Sequence, residues 1–202
     1  MTIIRPYRPD DRAALYDICV RTGYLGGDAR PHYRDPWILP EIFAGPYSYL
    51  EPELTLVATD AKDRAVGYVV GTADTATFVK RFRAEWLPLV ADRYPPLAGE
   101  PTDLDGQMRH LLHWPERMLL PELVEYPAHL HIDLLPDYQG HGDGRRLIQR
   151  LSAALRDAGV PALHLGMATA NTPARAFYDR IGMHVIEVPD PGPVAYLGLR
   201  LC

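Results

Sequence analysis

The sequence predicts an α/β protein of the α+β kind: a mixed central sheet of about seven strands flanked by helices, with a helical insertion before the central strand. Three observations predict it. Short apolar runs of strand length recur in both halves of the 202-residue chain. In the C-terminal half they alternate with segments of helical period. Between the halves, residues 74–127 carry prolines and broken helical patterns that suit neither a strand nor one long helix.

Residues 3–6 read as a strand. Pro9-Asp10-Asp11 then opens a helix, with an aspartate as N-cap and negative charge near the helix's positive end. Ala14, Leu15, Ile18 and Cys19 recur at helical spacing, and Gly23 stops the helix. Residues 24–53, rich in Pro, Gly and Tyr, carry a short helix near 37–43. Residues 54–59 and 65–73 are strands joined by the hairpin turn Asp60-Ala61-Lys62-Asp63-Arg64. Inside the insertion, 104–112 has helical spacing.

The C-terminal half alternates more plainly. Residues 129–135 form a strand and 144–158 a helix, whose Leu147, Ile148, Leu151, Ala154 and Leu155 make one apolar stripe. A strand at 162–167 precedes a helix at 173–181 with Pro173 in its first turn. Strands at 183–188 and 194–199 follow. No repeat or linker divides the sequence, which reads as one domain over 1–202.

Composition narrows the function. Lys and Arg number 21 against 26 Asp and Glu, a formal charge of −5. A non-specific nucleic-acid binder needs a basic face to displace counterions, so no nucleic-acid partner is expected. Two cysteines, Cys19 and Cys202, lie too far apart in sequence for a disulfide framework or metal cluster. No apolar run reaches the ~18 residues of a membrane span. Met1-Thr2-Ile3-Ile4-Arg5-Pro6 runs into a strand and not into a signal peptide, so a cytoplasmic protein without a membrane partner is expected.

The chemistry concentrates at Leu134-Leu135-Pro136-Asp137-Tyr138-Gln139-Gly140-His141-Gly142-Asp143-Gly144. An apolar strand enters a glycine-rich loop, and the loop opens an amphipathic helix. Glycines let backbone N–H groups converge and an anion approach closely, and the helix N-terminus adds donors and partial positive charge. This arrangement suits a pyrophosphate. No Gly-Lys-Ser/Thr follows, and the spacing Gly-x-Gly-x-Gly is not that of a dinucleotide fingerprint.

Gln139-x-x-Gly142-x-Gly144 instead resembles the acetyl-CoA motif of the GNAT superfamily. Asn171-Thr172-Pro173-Ala174-Arg175-Ala176-Phe177-Tyr178-Asp179-Arg180-Ile181-Gly182-Met183 resembles that superfamily's second signature, one helix and one strand further on. Ile3 to Asp11, Gly67-Tyr68-Val69-Val70-Gly71-Thr72-Ala73-Asp74 and Trp86-Leu87-Pro88 extend the likeness to nearly the whole chain. They resemble the acetyltransferase-like domain at the C-terminus of eukaryotic O-GlcNAcases, of which this chain looks like a free-standing bacterial relative. In those eukaryotic domains the acetyl-CoA loop is degraded, whereas Gln139, Gly140, Gly142 and Gly144 are present here.

The resemblance implies a GNAT fold and acetyl transfer from acetyl-CoA to an unidentified amine acceptor, a small molecule or a peptide. It implies that amides from Gln139, Gly140, His141, Gly142, Asp143, Gly144 and Arg145 hold the pyrophosphate. Amides near Leu134 and Leu135 pair with the pantetheine arm, and Ala174 and Phe177 complete the site. A backbone N–H near Leu134, at a strand bulge, faces the thioester oxygen. Tyr178 is the acid for the leaving thiolate, and Asn171 fixes either the pantetheine or the start of its own helix.

For the base, His129, His131 and Asp133 alternate and share one strand face. Asp133 or His131 relays the proton, or all three are packed structural groups; no fourth ligand suggests a metal. The side chain of Asp143 is expected to face solvent, with Arg145 and Arg146 compensating its charge. Trp37, Tyr47, Tyr49, Phe78 and Trp86 either line the acceptor's path or pack in the core, and the insertion is a lid candidate. The rival function is a CoA-binding module without turnover, used for interaction or sensing.

Overall fold

Alternation along a strand sends successive side chains to opposite faces of a sheet, and both faces of these strands are apolar enough to need cover. The computed structural model describes residues 2–201, so Cys202 lies outside the described residues. Its seven-stranded sheet has the order β1-β2-β3-β4-β5-β7-β6. The strands are β1 (Ile3–Pro6), β2 (Thr55–Thr59), β3 (Ala65–Thr72), β4 (Ala128–Leu134), β5 (Ala162–Ala168), β6 (His184–Ile186) and β7 (Val194–Arg200). Every neighbouring pair is antiparallel except β4 with β5. A parallel pair needs a crossover, and helix α7 (Asp143–Asp157) supplies it.

One face is covered by α1 (Arg12–Thr22), α2 (Ile38–Phe43), α3 (Gly45–Leu50), α4 (Thr75–Arg81), α5 (Leu87–Val90) and α6 (Leu104–His113). Leu15, Ile18, Leu39, Tyr47, Phe78 and Leu112 pack there with Tyr68 and Val70 of β3. The opposite face takes α7 and α8 (Thr172–Arg180). Leu147, Ile148, Leu151 and Leu155 meet Val69, Leu130, Leu163 and Leu197 on that side. The insertion is helical as expected, with a π-helical stretch at Phe82–Trp86 joining α4 to α5.

The first helix differs from the sequence expectation in how it begins. Pro9–Asp11 forms a 3-10 turn and α1 starts at Arg12, with no aspartate side chain capping it. Asp11 turns back instead: its carboxylate accepts from the Arg8 N–H at 2.8 Å and pairs with Arg5 at 2.7 Å. A largely buried guanidinium competes for the carboxylate more strongly than the helix end does. Gly23 does end α1, at φ −73°, so it is not needed for left-handed backbone. A Cβ there would stand 2.7 Å from the Cys19 carbonyl oxygen and 2.8 Å from Leu39 Cδ1. Close packing selects it.

The β3–β4 ladder is similarly tight. Gly67 faces Leu134 in register, and a Cβ on Gly67 would stand 2.8 Å from Leu134 Cγ and 2.9 Å from the Asp133 carbonyl oxygen. Backbone cannot yield as a flexible side chain does. Gly67→Ala is therefore expected to cost about 1–3 kcal/mol, the range of overpacked cores, read as a lower denaturant midpoint at unchanged m-value. Gly99→Ala, with no atom within 4 Å of its Cβ, leaves the midpoint within about 0.5 kcal/mol. Equal midpoints for the two would show that this ladder is slack.

Candidate active site

The site begins where β4 and β5 part. Their pairing covers only Ala128↔Leu163 and His129↔His164, so the rest of β4 has no β5 neighbour. The Leu135 N–H donates to Val66 O at 2.9 Å, toward β3. Alternation then turns the N–H groups of Ile132 and Leu134 the other way, into the gap. Ile132 and Leu134 line a cleft of about 720 Å³ there. The expected bulge at Leu134 is absent: the ladder runs from Gly67↔Leu134 to Thr72↔His129 without a shift. The sheet's irregularity lies in β2, at Ala58/Thr59. Strand divergence, and not a bulge, exposes the donors.

The glycine loop closes one end of the cleft. Gly140 and Gly142 have φ of 77° and 87°, left-handed backbone that a Cβ disfavours. Gly142 is the N-cap residue of α7, so the first free N–H groups of that helix open beside it. Gly144 serves proximity: its Cβ would meet the Phe177 ring at 3.1 Å and Leu134 Cδ1 at 3.3 Å. The Gln139 side-chain amide donates to Leu134 O at 2.8 Å, which ties the loop to β4. Gln139, Gly140, Gly142, Gly144 and Arg145 all line the cleft, opposite Asn171, Ala174, Phe177 and Tyr178. The Asn171 side chain accepts from the Ala174 N–H at 3.2 Å, so it caps α8.

Three residues of the predicted loop set sit elsewhere. His141 is exposed and Leu135 uses its N–H on β3. Asp143, expected to face solvent, is instead buried at 5% exposure. Its Oδ1 accepts from the Thr2 hydroxyl at 2.5 Å and pairs with Arg146 at 3.2 Å. Thr2, remote in sequence, supplies the partner that makes burial tolerable. Arg145 instead reaches the Arg180 carbonyl at 3.3 Å.

Toward the helical insertion, β4 presents its polar face. Asp133 lines the cleft and accepts from Tyr68 OH at 2.6 Å, while the Thr22 hydroxyl divides its one proton between Asp133 Oδ1 at 2.9 Å and the Ile18 carbonyl at 2.7 Å. Burial raises its carboxyl pKa, and the two donors only partly oppose that. Tyr178 lies across the cleft, its pKa raised by burial and then by the Asp133 charge. No described residue hydrogen-bonds its hydroxyl. The phenol therefore keeps its proton at neutral pH and is free to donate it.

His131 and His129 belong to a different network. Tyr47 OH lies 2.7 Å from His129 Nε2 and 3.1 Å from His131 Nε2. His129 Nδ1 lies 2.8 Å from Thr75 Oγ1, whose proton goes to Pro127 O at 2.7 Å. One proton per hydroxyl fixes the order: His129 Nδ1–H donates to Thr75, Tyr47 donates to His129, and His131 Nε2–H donates to Tyr47. Burial first, then the Arg117 charge, pushes His131 down to about 3. His131 is a neutral ring outside the cleft lining. Among the described residues no three His, Cys, Asp or Glu side chains are placed to hold a metal.

Of the aromatic residues, Tyr47, Phe78 and Trp86 are core, while Trp37 and Tyr49 are exposed and absent from the cleft. Thr22, Tyr68 and Arg117 were not singled out from the sequence. Thr22 left one trace: with Leu15, Ile18 and Cys19 it continues the buried stripe of α1, a polar residue at an apolar position. Leu25, Gly26 and Gly27 complete the cleft on that side.

The residues present fit a long phosphorylated amide. Loop donors and Arg145 suit a diphosphate, and the outward N–H groups of β4 suit an amide arm.

The acetyltransferase (GNAT) family model matches residues 110–183. Protein O-GlcNAcase of Rattus norvegicus is 25% identical over 98% of this chain, which spans only 22% of that protein's length. The crystal structure of SsHAT is 59% identical, covers 100% of this chain and 98% of its own, and superposes with a TM-score of 0.97. The Drosophila melanogaster polyamine N-acetyltransferase, 16% identical with 99% of this chain and 100% of its own covered, shares the fold at a TM-score of 0.64. The chain belongs to the acetyltransferase (GNAT) family, with acetyl-CoA as its cosubstrate.

Proposed function

We propose that the protein transfers the acetyl group of acetyl-CoA directly to a free amine, with Asp133 as base, Tyr178 as acid and the β4 backbone as the polar cradle. The observation that carries this reading is that a carboxylate of raised pKa and an uncommitted phenol flank one cleft beside β4. The chain acts as one domain, since Asp133 of the C-terminal half is held by Thr22 and Tyr68 of the N-terminal half. A cytoplasmic setting suits the free, buried Cys19; no described helix is long and apolar enough to cross a membrane.

Acetyl-CoA supplies an activated acyl carbon and a thiolate leaving group. The chain's own groups then have three tasks. An amine of pKa near ~10 is mostly protonated at neutral pH, so its proton must leave before or during attack. Asp133 takes that proton, directly or through water, and its raised pKa makes it a stronger base than an ordinary carboxylate. The nitrogen lone pair forms the N–C bond as the carbonyl electrons move to oxygen. The Leu134 N–H, turned into the cleft, would donate to that oxygen as it gains charge. The oxygen's electrons then re-form the carbonyl as the C–S bond breaks and its electron pair leaves on sulfur. Tyr178 gives its proton to that thiolate, and the second proton of the acetylated nitrogen passes through water to the Tyr178 phenolate. Thr22 and Tyr68 keep the Asp133 carboxylate aimed, while Asn171 holds the first turn of α8 and with it Tyr178.

Replacing Tyr178 with Phe is expected to lower kcat by about 10²-fold or more with acetyl-CoA affinity little changed, the scale of a lost acid. Asp133→Asn is expected to lose a similar factor and to remove the acid limb of the kcat/KM profile. Because burial raises the Asp133 pKa, that limb lies above the ordinary carboxylate value of about 3.9, and activity falls as pH drops through it. Both follow from CoA release over an amine panel. If neither variant slows release, the assignment of acid and base is wrong. If acetyl-CoA binds but no amine accelerates release, the non-catalytic module is the correct reading.

The loop has a separate test. Gly142→Ala and Gly159→Ala both force a Cβ onto left-handed backbone with open space around it, so each costs about 1–2 kcal/mol of stability. Only Gly142→Ala weakens CoA binding in calorimetry. Equal CoA affinity in the two would remove the loop from the cofactor site.

A further inference from the structure

Between α7, the C-terminal end of α8 and the end of β7 lies a second cavity of about 260 Å³. Arg145, Arg156, Arg180 and Arg200 line it, and no acidic side chain does. In a chain of net charge −5, this is a concentrated positive groove. Arg200 is engaged, pairing with Glu125 at 2.6 Å and lying over the Tyr126 ring. The guanidinium groups of Arg156 and Arg180 pair with no carboxylate among the described residues.

A second observation points the same way. Ser152 lies on the cavity wall at 4% exposure, and its Oγ has no hydrogen-bond partner. A helical serine usually bonds back to the carbonyl one turn earlier, and a buried hydroxyl without a partner is costly. An orphaned donor at the base of an arginine-lined groove is the signature of a missing acceptor. Arg145, Ser152 and Arg156 lie along one side of α7. Its rise of 1.5 Å per residue puts Ser152 about 10 Å and Arg156 about 16 Å beyond Arg145, away from the glycine loop.

We propose that this groove is a second anion site, taking a phosphomonoester dianion against the Ser152 hydroxyl and the Arg156 and Arg180 guanidiniums. Arginine forks and a hydroxyl donor match three acceptor oxygens bearing two charges. Arg145 and Arg180 line both this groove and the main cleft. The phosphomonoester therefore comes either from the ribose 3′-phosphate of CoA, reaching over that shared rim, or from a separate phosphorylated molecule. The inference rests on this groove alone and stands apart from acetyl transfer.

The test is a calorimetric titration of the full chain with inorganic phosphate at fixed ionic strength. It is repeated on Arg156→Ala and Ser152→Ala, with thermal unfolding of each variant to confirm folding. Ser152→Ala removes an unsatisfied hydroxyl, so that variant is expected to melt no lower than the parent. The site predicts one bound phosphate, weakened by about tenfold or more in each variant, the loss of one charged hydrogen bond. It also predicts that phosphate binds unchanged beside saturating 3′-dephospho-CoA. Exclusion of phosphate by CoA, but not by dephospho-CoA, names the nucleotide as the source; binding beside both names a separate molecule. No phosphate heat, unaltered affinity in both variants, or exclusion by dephospho-CoA would each overturn the proposal.

Discussion

Everything at the active site depends on β4 and β5 ceasing to pair after two residues. In a sheet every interior strand satisfies its N–H and C=O groups on both edges. Here β4 stays paired to β3 over six residue pairs and loses β5 after His129. Its second edge is left with polar backbone facing a cleft. A flexible substrate arm that carries amides is the natural complement to such an edge, as an added strand is to an open sheet. Hydrophobic layers cover both faces, α1–α6 on one and α7–α8 on the other, and the second layer joins Leu130 of β4 to Leu163 of β5 in one cluster beside the split.

The same split decides the electrostatics. Water leaves the polar face of β4 as α1, α3 and α4 pack over it. Desolvation is the first cause of the shifts of His129, His131 and Asp133 there and of Tyr178 across the cleft. Its effect differs by residue type. It makes Asp133 more basic, keeps Tyr178 protonated, and holds His129 and His131 neutral. One environment thus leaves a more basic carboxylate and a protonated phenol on opposite walls, while the histidines serve a directed hydrogen-bond chain anchored at Pro127 O. Arg117, a cation near both rings, reinforces their neutrality.

What the sequence disclosed was local. Gly140 and Gly142, the apolar stripe of α7, the cap at Asn171 and the one-sided placement of His129, His131 and Asp133 each follow from spacing and backbone freedom. Those features are present in the structure. What stayed hidden depends on partners remote in sequence. Asp143 points inward because Thr2 meets it across 141 positions. Asp133 is held by Thr22 across 111. The exposed backbone near Leu134 was legible as a need, but its cause was read as a bulge, since strand divergence leaves no mark in one strand's residues. Tyr47 shows the limit of residue typing: its ring is core, and its hydroxyl orders two histidines.

The most direct measurement is amide hydrogen exchange of the β4 segment, resolved at Ile132 and Leu134, with and without acetyl-CoA. Both amides are expected to exchange readily in the free protein and to become protected when acetyl-CoA binds, while the Leu135 amide, already bonded to Val66, is protected throughout. Saturating acetyl-CoA with no gain in protection at Ile132 and Leu134 would contradict this assignment, because the open edge of β4 would then not be where the cosubstrate lies.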